Sequence, residues 1–382
     1  MLLLALMPAC AVNHRPPATV ASIQADAAGA AAAARTLQDT VTARLARRVV
    51  ARGDRTLDIL LLSGGGQNGA YGVGFLRGWR TRPDAPMPKF DLVTGISTGA
   101  LQAPFALLGS EAALDTVAAL YHSAATRIAP KLDLFFWLRK TGGVVKTAQF
   151  RHTLATVLDS TMAAALRREF AVDRQIVIGT TDFDLGVARA WDLGHELGSA
   201  TAGRERVQTL LLASSSIPSI FPPIVIDGHV HADGGVMGNT LPLLDLEGYR
   251  RLAARLNALN VGGPVTVRLW VVMNVWSHAP PAVLQPSSRG AMSQRLTTLL
   301  FLGAQPQLLG RLAELSRAVS SDVPGLRMEY RMTAIPAALA SEPAATSLVN
   351  PAWMLRLDRL GYERAHGDTP WDAVPTIFER PR

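Results

Sequence analysis

Three short segments carry residue types that could act on an ester. Ser97 stands in Gly95-Ile96-Ser97-Thr98-Gly99, a G-x-S-x-G pattern that follows an apolar run at 90–94. A serine between two glycines can occupy a sharp strand-to-helix turn. Its Oγ then projects from the sheet at a helix N-terminus, where the helix dipole supports developing negative charge. Upstream, Ser63-Gly64-Gly65-Gly66-Gln67-Asn68-Gly69 follows a second apolar run at 57–62. Glycines there let backbone N–H groups converge on one small space, which suits an anion or an oxyanion that exists only in a transition state. Downstream, Asp233 opens Asp233-Gly234-Gly235. A carboxylate on so compact a loop can serve as a base if partial desolvation lifts it above the ordinary pKa of ~3.9.

Each segment has a simpler reading when taken alone. G-x-S-x-G arises by chance in a chain rich in Gly and Ala, Asp-Gly is a common turn, and a glycine turn joins many strands to helices. Residues 64–69 also satisfy G-x-G-x-x-G, the dinucleotide fingerprint, with Asp84 or Asp91 as ribose partners. A dinucleotide-dependent oxidoreductase would leave Ser97 and Asp233 without roles. His229 and His231 share one face of a strand near Asp233 and offer a base for a Ser–His–Asp triad instead.

The elements around these segments decide where they end up. Short apolar runs at 57–62, 90–94 and 175–181, bounded by Gly, Asp or Pro, predict buried strands; 188–193, 265–275 and 327–333 are β-like as well. Asp227-Gly228 between 225–226 and 229–231 predicts a hairpin. Helical spacing covers 36–52 (Leu37, Val41, Leu45, Val49), 68–79, 98–108, 111–124, 203–213, 288–320 with a break at Pro306, and 352–365. Strands alternating with helices imply an α/β fold with a mostly parallel sheet flanked by helices on both faces. No internal repeat is visible.

In this order and context the motifs resemble the patatin-like phospholipase family. The resemblance takes in Ala213-Ser214-Ser215-Ser216-Ile217-Pro218, Phe221-Pro222-Pro223 and Asn239, and covers roughly residues 57–245. It implies a three-layer α/β architecture and a Ser–Asp dyad, with Ser97 as nucleophile and Asp233 as base. The amides of Gly64, Gly65 and Gly66 would form the oxyanion hole. Gly69, Gly95, Gly99, Gly234 and Gly235 would shape the loops. The implied chemistry is acyl transfer from a lipid or phospholipid ester, of the phospholipase A or lysophospholipase type, with no cofactor and no metal. Asn68 departs from the family pattern, which has Arg or Lys at that place.

Composition limits the alternatives. The chain has 382 residues, of which 48% are hydrophobic and 18% charged, enough apolar material for a sizeable core. The net charge of +8 is carried almost wholly by Arg, with no dense basic run or zinc spacing, so no nucleic-acid partner is expected. Cys10 is the single cysteine and closes Met1-Leu2-Leu3-Leu4-Ala5-Leu6-Met7-Pro8-Ala9. That segment resembles the end of a bacterial lipoprotein signal, although Pro8 and the lack of a preceding Lys or Arg depart from it. Residues 1–35 therefore divide into signal and tether, with a helix possible in the Ala run at 27–34. Residues 36–382 form the hydrolase domain, whose folded core is expected to begin near Arg55. Lipidation of Cys10 would anchor the chain at the membrane, on the periplasmic face of the envelope. The run at 132–138, with Phe135, Phe136 and Trp137 beside Arg139 and Lys140, suits a lipid-facing lid or a buried helix segment. A catalytically silent, lipid-binding envelope lipoprotein is the alternative function, and serine-dependent ester turnover separates the two.

Overall fold

The computed structural model of the chain describes residue 15 and residues 17–123, 131–132 and 142–376. The strands are β1 (Thr56–Leu62), β2 (Leu92–Ile96), β3 (Lys131–Leu132), β4 (Val145–Lys146), β5 (Gln175–Asp182), β6 (Val187–Asp192), β7 (Ile224–Ile226), β8 (His229–Asp233), β9 (Val265–Val272) and β10 (Leu326–Thr333). The helices are α1 (Val20–Arg52), α2 (Gly69–Thr81), α3 (Thr98–Leu108), α4 (Glu111–His122), α5 (Ala148–Val157), α6 (Ser160–Ala171), α7 (Leu193–Leu197), α8 (Thr201–Ser214), α9 (Leu246–Ala258), α10 (Arg289–Leu302), α11 (Gln305–Asp322) and α12 (Pro351–His366). β3 and β4 form a separate antiparallel pair.

The main sheet runs β10-β9-β1-β2-β5 in parallel, as the apolar runs predicted. Successive side chains of β1 point to opposite faces, so Leu57, Ile59 and Leu61 enter one core while Leu60 and Leu62 enter the other. The first core is closed by Val41, Leu45 and Val49 of α1, Leu252 and Leu256 of α9, and Leu309 and Leu312 of α11. The second is closed by Phe75 and Trp79 of α2, Ala100 and Leu107 of α3, and Leu210 of α8. The result is the expected helix–sheet–helix sandwich.

Two features position the chemistry. β6 pairs antiparallel with β5 over Val177–Asp182 and occupies one edge of that strand. A strand has only two edges, so β2 and β8 must share the other. β2 ends there with Ile96 opposite Gly179, and β8 runs in from the opposite direction to end with Asp233 opposite Thr180. The ends of the two strands thus abut, at consecutive positions of β5.

The second feature is α1, which corrects the expected boundary. The stretch read as a tether is helical from Val20, where Thr19 and Ser22 form a reciprocal capping box. The helix continues to a left-handed cap at Gly53, and its buried residues Val41, Leu45, Ala46 and Val49 place the start of the folded core well before Arg55.

Candidate active site

Ser97 follows β2 directly and caps α3 with φ 52° and ψ −121°. An L-residue holds such a backbone only where its surroundings over-determine it. Here they do. The Ser97 N–H donates to Ser214 Oγ (3.0 Å), and Ser214 Oγ donates in turn to the Gly179 carbonyl (2.7 Å). Space sets the two flanking glycines. A Cβ on Gly99 would fall on the backbone of Leu62 and Ser63 at the end of β1, and one on Gly95 would meet the first turn of α3. α3 can therefore rest against the strand end, and the serine is raised between them.

Asp233 is brought to Ser97 by the abutting strands. Its N–H donates to the Ser216 carbonyl (2.9 Å) and its carbonyl accepts from Thr181 Oγ1 (2.8 Å), so the backbone is pinned on both sides. Gly234 sits against the Gly179 carbonyl, where a side chain would not fit. The Gly235 N–H donates to Asp233 Oδ1 (2.7 Å). The carboxylate is buried, with the Ser97 side chain as a polar neighbour. Burial pushes its pKa up to about 6, against the opposing pull of the Ser97 side chain and the Gly235 N–H. No cation pairs with Asp233 among the described residues.

The glycine loop closes the third side. Gly64 lies against Ser97, and a Cβ there would come 3.2 Å from Ser97 Cβ and 2.6 Å from Asn239 Oδ1. Its N–H is engaged: it donates to the Asn239 carbonyl (3.1 Å). The expected three-amide oxyanion hole is corrected on this point, because a donor that closes the loop onto Asn239 is not free. The N–H groups of Gly65 and Gly66 have no acceptor among the described residues. Gly66 has φ +57° and is partly open to solvent, a backbone for which glycine is suited. Gly69 begins α2, and its carbonyl accepts from Gln102 Nε2 (2.8 Å).

The loop is bolted down by residues far away in the chain. Asn274, just past β9, donates its N–H to Ser63 Oγ (2.7 Å) and its Nδ2–H to the Ser63 carbonyl (2.7 Å). Gln67 donates to the Ala344 carbonyl and accepts from the Asn350 N–H. Asn68 Oδ1 accepts from the Trp353 indole N–H (2.8 Å) in a buried contact. The residue that departs from the family pattern is thus turned toward α12 and holds it against the loop. The C-terminal third, in which no motif was legible, is the clamp on the glycine loop.

An apolar cleft of about 1000 Å³, mouth included, opens beside Ser97. Leu101, Phe105, Val117, Leu154, Leu211 and Met354 are among its walls, with Gly66 and Ser97 at its polar end. Ser215 Oγ, also at the cleft, is buried and has no hydrogen-bond partner among the described residues.

The competing readings do not fit this geometry. His231 Nδ1 lies 3.0 Å from Thr180 Oγ1, its ring meets Trp191 edge-on, and burial lowers its pKa to about 4. His229 Nδ1 lies 3.0 Å from Asp182 Oδ2. Both rings are thus committed to β5 and its neighbours. Asp91, offered as a ribose partner, is buried between Arg48 and Arg52, and Asp84 pairs with Arg82. Asp182, Asp184 and His229 place ligand atoms within 4.8 Å of one another. Their carboxylates already accept from Arg15, Arg189 and the N–H groups of Asp184, Leu185 and Val230, so the cluster ties β5 to β8. Cys10 and the lid candidates Phe135, Phe136 and Trp137 lie outside the described residues.

Residues 60–246 match the family model of patatin-like phospholipase. This segment is a patatin-like phospholipase domain. A curated relative, the cGAMP-activated phospholipase of Pseudomonas aeruginosa, is 27% identical over 211 residues, covering 53% of this chain and 60% of its own length. The chain thus spans less than two thirds of that relative's length. A crystal structure of VipD from Legionella pneumophila also matches, at 12% identity and TM-score 0.35, over 81% of this chain and 66% of VipD. The patatin-like segment contains all three motifs, and the residues that clamp them from 274, 344, 350 and 353 lie beyond it.

Proposed function

We propose that the chain is a serine lipid acyl hydrolase, a phospholipase A or lysophospholipase-like esterase that works through an acyl-enzyme. The observation that carries this reading is the abutment of β2 and β8, which sets a strained Ser97 against a buried, cation-free Asp233 at the end of an apolar cleft. Ser97 Oγ attacks the ester carbonyl while Asp233 takes the hydroxyl proton. The N–H groups of Gly65 and Gly66 face the oxyanion, and the expelled alcohol takes the proton back from Asp233. A water, deprotonated by Asp233, then releases the fatty acid and Ser97 regains its proton. With a pKa near 6 the carboxylate is a stronger base than a free one yet still ionised at neutral pH. The apolar cleft suits an acyl chain, and the phospholipase named as a relative supports a phospholipid ester as substrate.

Lipidation of Cys10 would hold this site at the membrane, on the periplasmic face of the envelope, with no helix among the described residues long and apolar enough to cross it. The decisive experiment is turnover of p-nitrophenyl butyrate by the parent chain, Ser97→Ala and Asp233→Asn, each checked for folding by circular dichroism. Turnover that collapses in both variants supports the dyad. An inactive parent, or a Ser97→Ala variant equal to it, sinks the reading and leaves a silent lipid-binding lipoprotein.

A further inference from the structure

α10 buries none of its residues. Met292, Leu296, Leu299 and Leu300 are 47%, 58%, 42% and 72% exposed. At ~100° per residue these four fall within roughly one quarter of the helix circumference, a continuous apolar stripe. Phe301 (44% exposed) lies on the opposite side of the helix from the stripe, and Val283, in the loop before the helix, is fully exposed. Stripes of this kind on a soluble domain mark contact with a partner or with lipid.

Two observations identify the occupant. The first is position. α10 follows β9 at the end of the sheet that carries Ser97, and its last residue, Leu302, packs into a cluster with Val117, Tyr121 and Met354, which line the cleft. The C-terminal end of the stripe is thus tied, through Leu302, to the cluster that walls the cleft. The second is charge. Between Glu247 and Glu314 the chain contains no Asp or Glu, while Arg289 opens the helix and Arg311 follows it. Both are exposed and in no ion pair among the described residues. Apolar side chains on a stretch of chain that carries arginine and no carboxylate complement an anionic bilayer surface.

We propose that α10 is a membrane-docking helix that seats the cleft on an anionic lipid surface. The proposal depends on the lipid-hydrolase reading only for what then enters the cleft. Docking itself requires no turnover, so the two can fail separately. It is also independent of a lipid anchor, which the test removes.

The test uses the full chain with Cys10→Ser. Flotation with phosphatidylcholine vesicles, with and without phosphatidylglycerol, reads docking. Hydrolysis of p-nitrophenyl butyrate reads the dyad. Leu296→Glu combined with Leu300→Glu should cut the vesicle-bound fraction about tenfold and leave soluble-ester turnover and thermal midpoint unchanged. Arg289→Ala should weaken binding about fivefold, and only on vesicles containing phosphatidylglycerol. Because Cys10 is the single cysteine, Leu300→Cys in the same background carries one environment-sensitive dye, whose emission should shift to the blue on vesicles. Unaltered flotation of the double-Glu variant, or a dye that stays in water while the protein floats, overturns the proposal. Normal docking by a chain that hydrolyses no ester would sink the hydrolase reading and leave docking standing.

Discussion

At the N-terminal ends of β1 and β2, Asp58 and Asp91 are buried among guanidinium groups; at the C-terminal end of the sheet, Asp233 is buried without one. Asp58 accepts from Arg52, Arg268 and the Trp270 indole, and Asp91 accepts from Arg48, Arg52 and the Asp58 N–H. Three of the four carboxylate oxygens there have a guanidinium partner, Asp58 Oδ1 taking the indole N–H instead, and the network ties α1 to the sheet. Asp233 has only the Gly235 N–H and the Ser97 side chain. The same residue type, buried to a similar depth, is a fastener at one end and the proposed base at the other. What separates them is whether the fold supplies a cation. A neutralised carboxylate stabilises, whereas an uncompensated one costs stability and becomes basic.

The largest expected effect falls on the uncompensated end. Ser97→Ala and Asp233→Asn should each lower kcat/KM for a soluble ester by roughly 10³-fold or more, because the proposed nucleophile and base would act as one unit. The double variant should be little worse than either single one. Additive losses would mean that the two side chains act independently and would break the dyad.

The opposite end should show the reverse profile. Arg52→Met strips a shared partner from both Asp58 and Asp91, and breaking a buried pair from one side costs about 3 kcal/mol of stability. Activity per folded molecule should stay within about twofold, since no catalytic group is touched. Denaturant unfolding alongside an active-site titration measures both. A stable but inactive Arg52→Met variant would show that the two ends are coupled through the sheet.

The pH dependence sharpens the contrast. The folded pKa of Asp233, about 6, lies above the ordinary carboxylate value of 3.8. Below both values the group is protonated in either state and contributes nothing. As pH rises from about 4 to 6 the unfolded chain loses its proton first, the native state then holds more protons, and stability falls. At ~1.4 kcal/mol per pKa unit the loss is up to about 3 kcal/mol, complete above pH 6. Asp233→Asn should therefore unfold at a higher temperature than the parent at pH 8, with the gain vanishing near pH 4. Ester turnover should run the other way, falling on the acid side of about pH 6 as the base takes up its proton. A parent whose stability does not change between pH 4 and 8 would mean that the carboxylate is not held neutral by burial.

The fold was legible where local pattern and tertiary structure agree. The apolar runs became β1, β2 and β5, and Asp227-Gly228 became the turn between β7 and β8. Helices α5 and α6 carried little signal, because their buried positions are few and lie among polar residues, whereas α9 does carry a helical pattern, at Tyr249, Leu252, Ala253 and Leu256, that went unread among its arginines. The motif residues Ser97, Asp233 and Gly64 were found because glycine spacing marks a turn locally. Their supports were hidden for a physical reason: Asn68 meets Trp353, Gln67 meets Asn350 and Ser63 meets Asn274 across 285, 283 and 211 residues. A buried amide bond over such a span leaves no periodicity. The commitment of the Gly64 N–H to Asn239 was equally invisible, since a glycine run shows which amides can turn inward and not which are already taken.

Ser214 is the smallest lever on the comparison and the most local. It had a place in a family-like run but no role until its Oγ was found bridging the Ser97 N–H and the Gly179 carbonyl. Ser214→Ala would leave that N–H buried and unpaired, a cost of about 1–2 kcal/mol borne by a backbone already at positive φ. The elbow has one less reason to stay strained, so the Ser97 side chain should spend less time against Asp233. The expected result is a fall of about tenfold in kcat with KM nearly unchanged, because the apolar cleft that binds the acyl chain is not altered. Ser214→Cys, which keeps a weak donor and acceptor at that point, should recover part of the loss. If Ser214→Ala raises KM instead and leaves kcat intact, the serine shapes the cleft, and the strain at Ser97 is maintained by the packing of α3 on β1 alone.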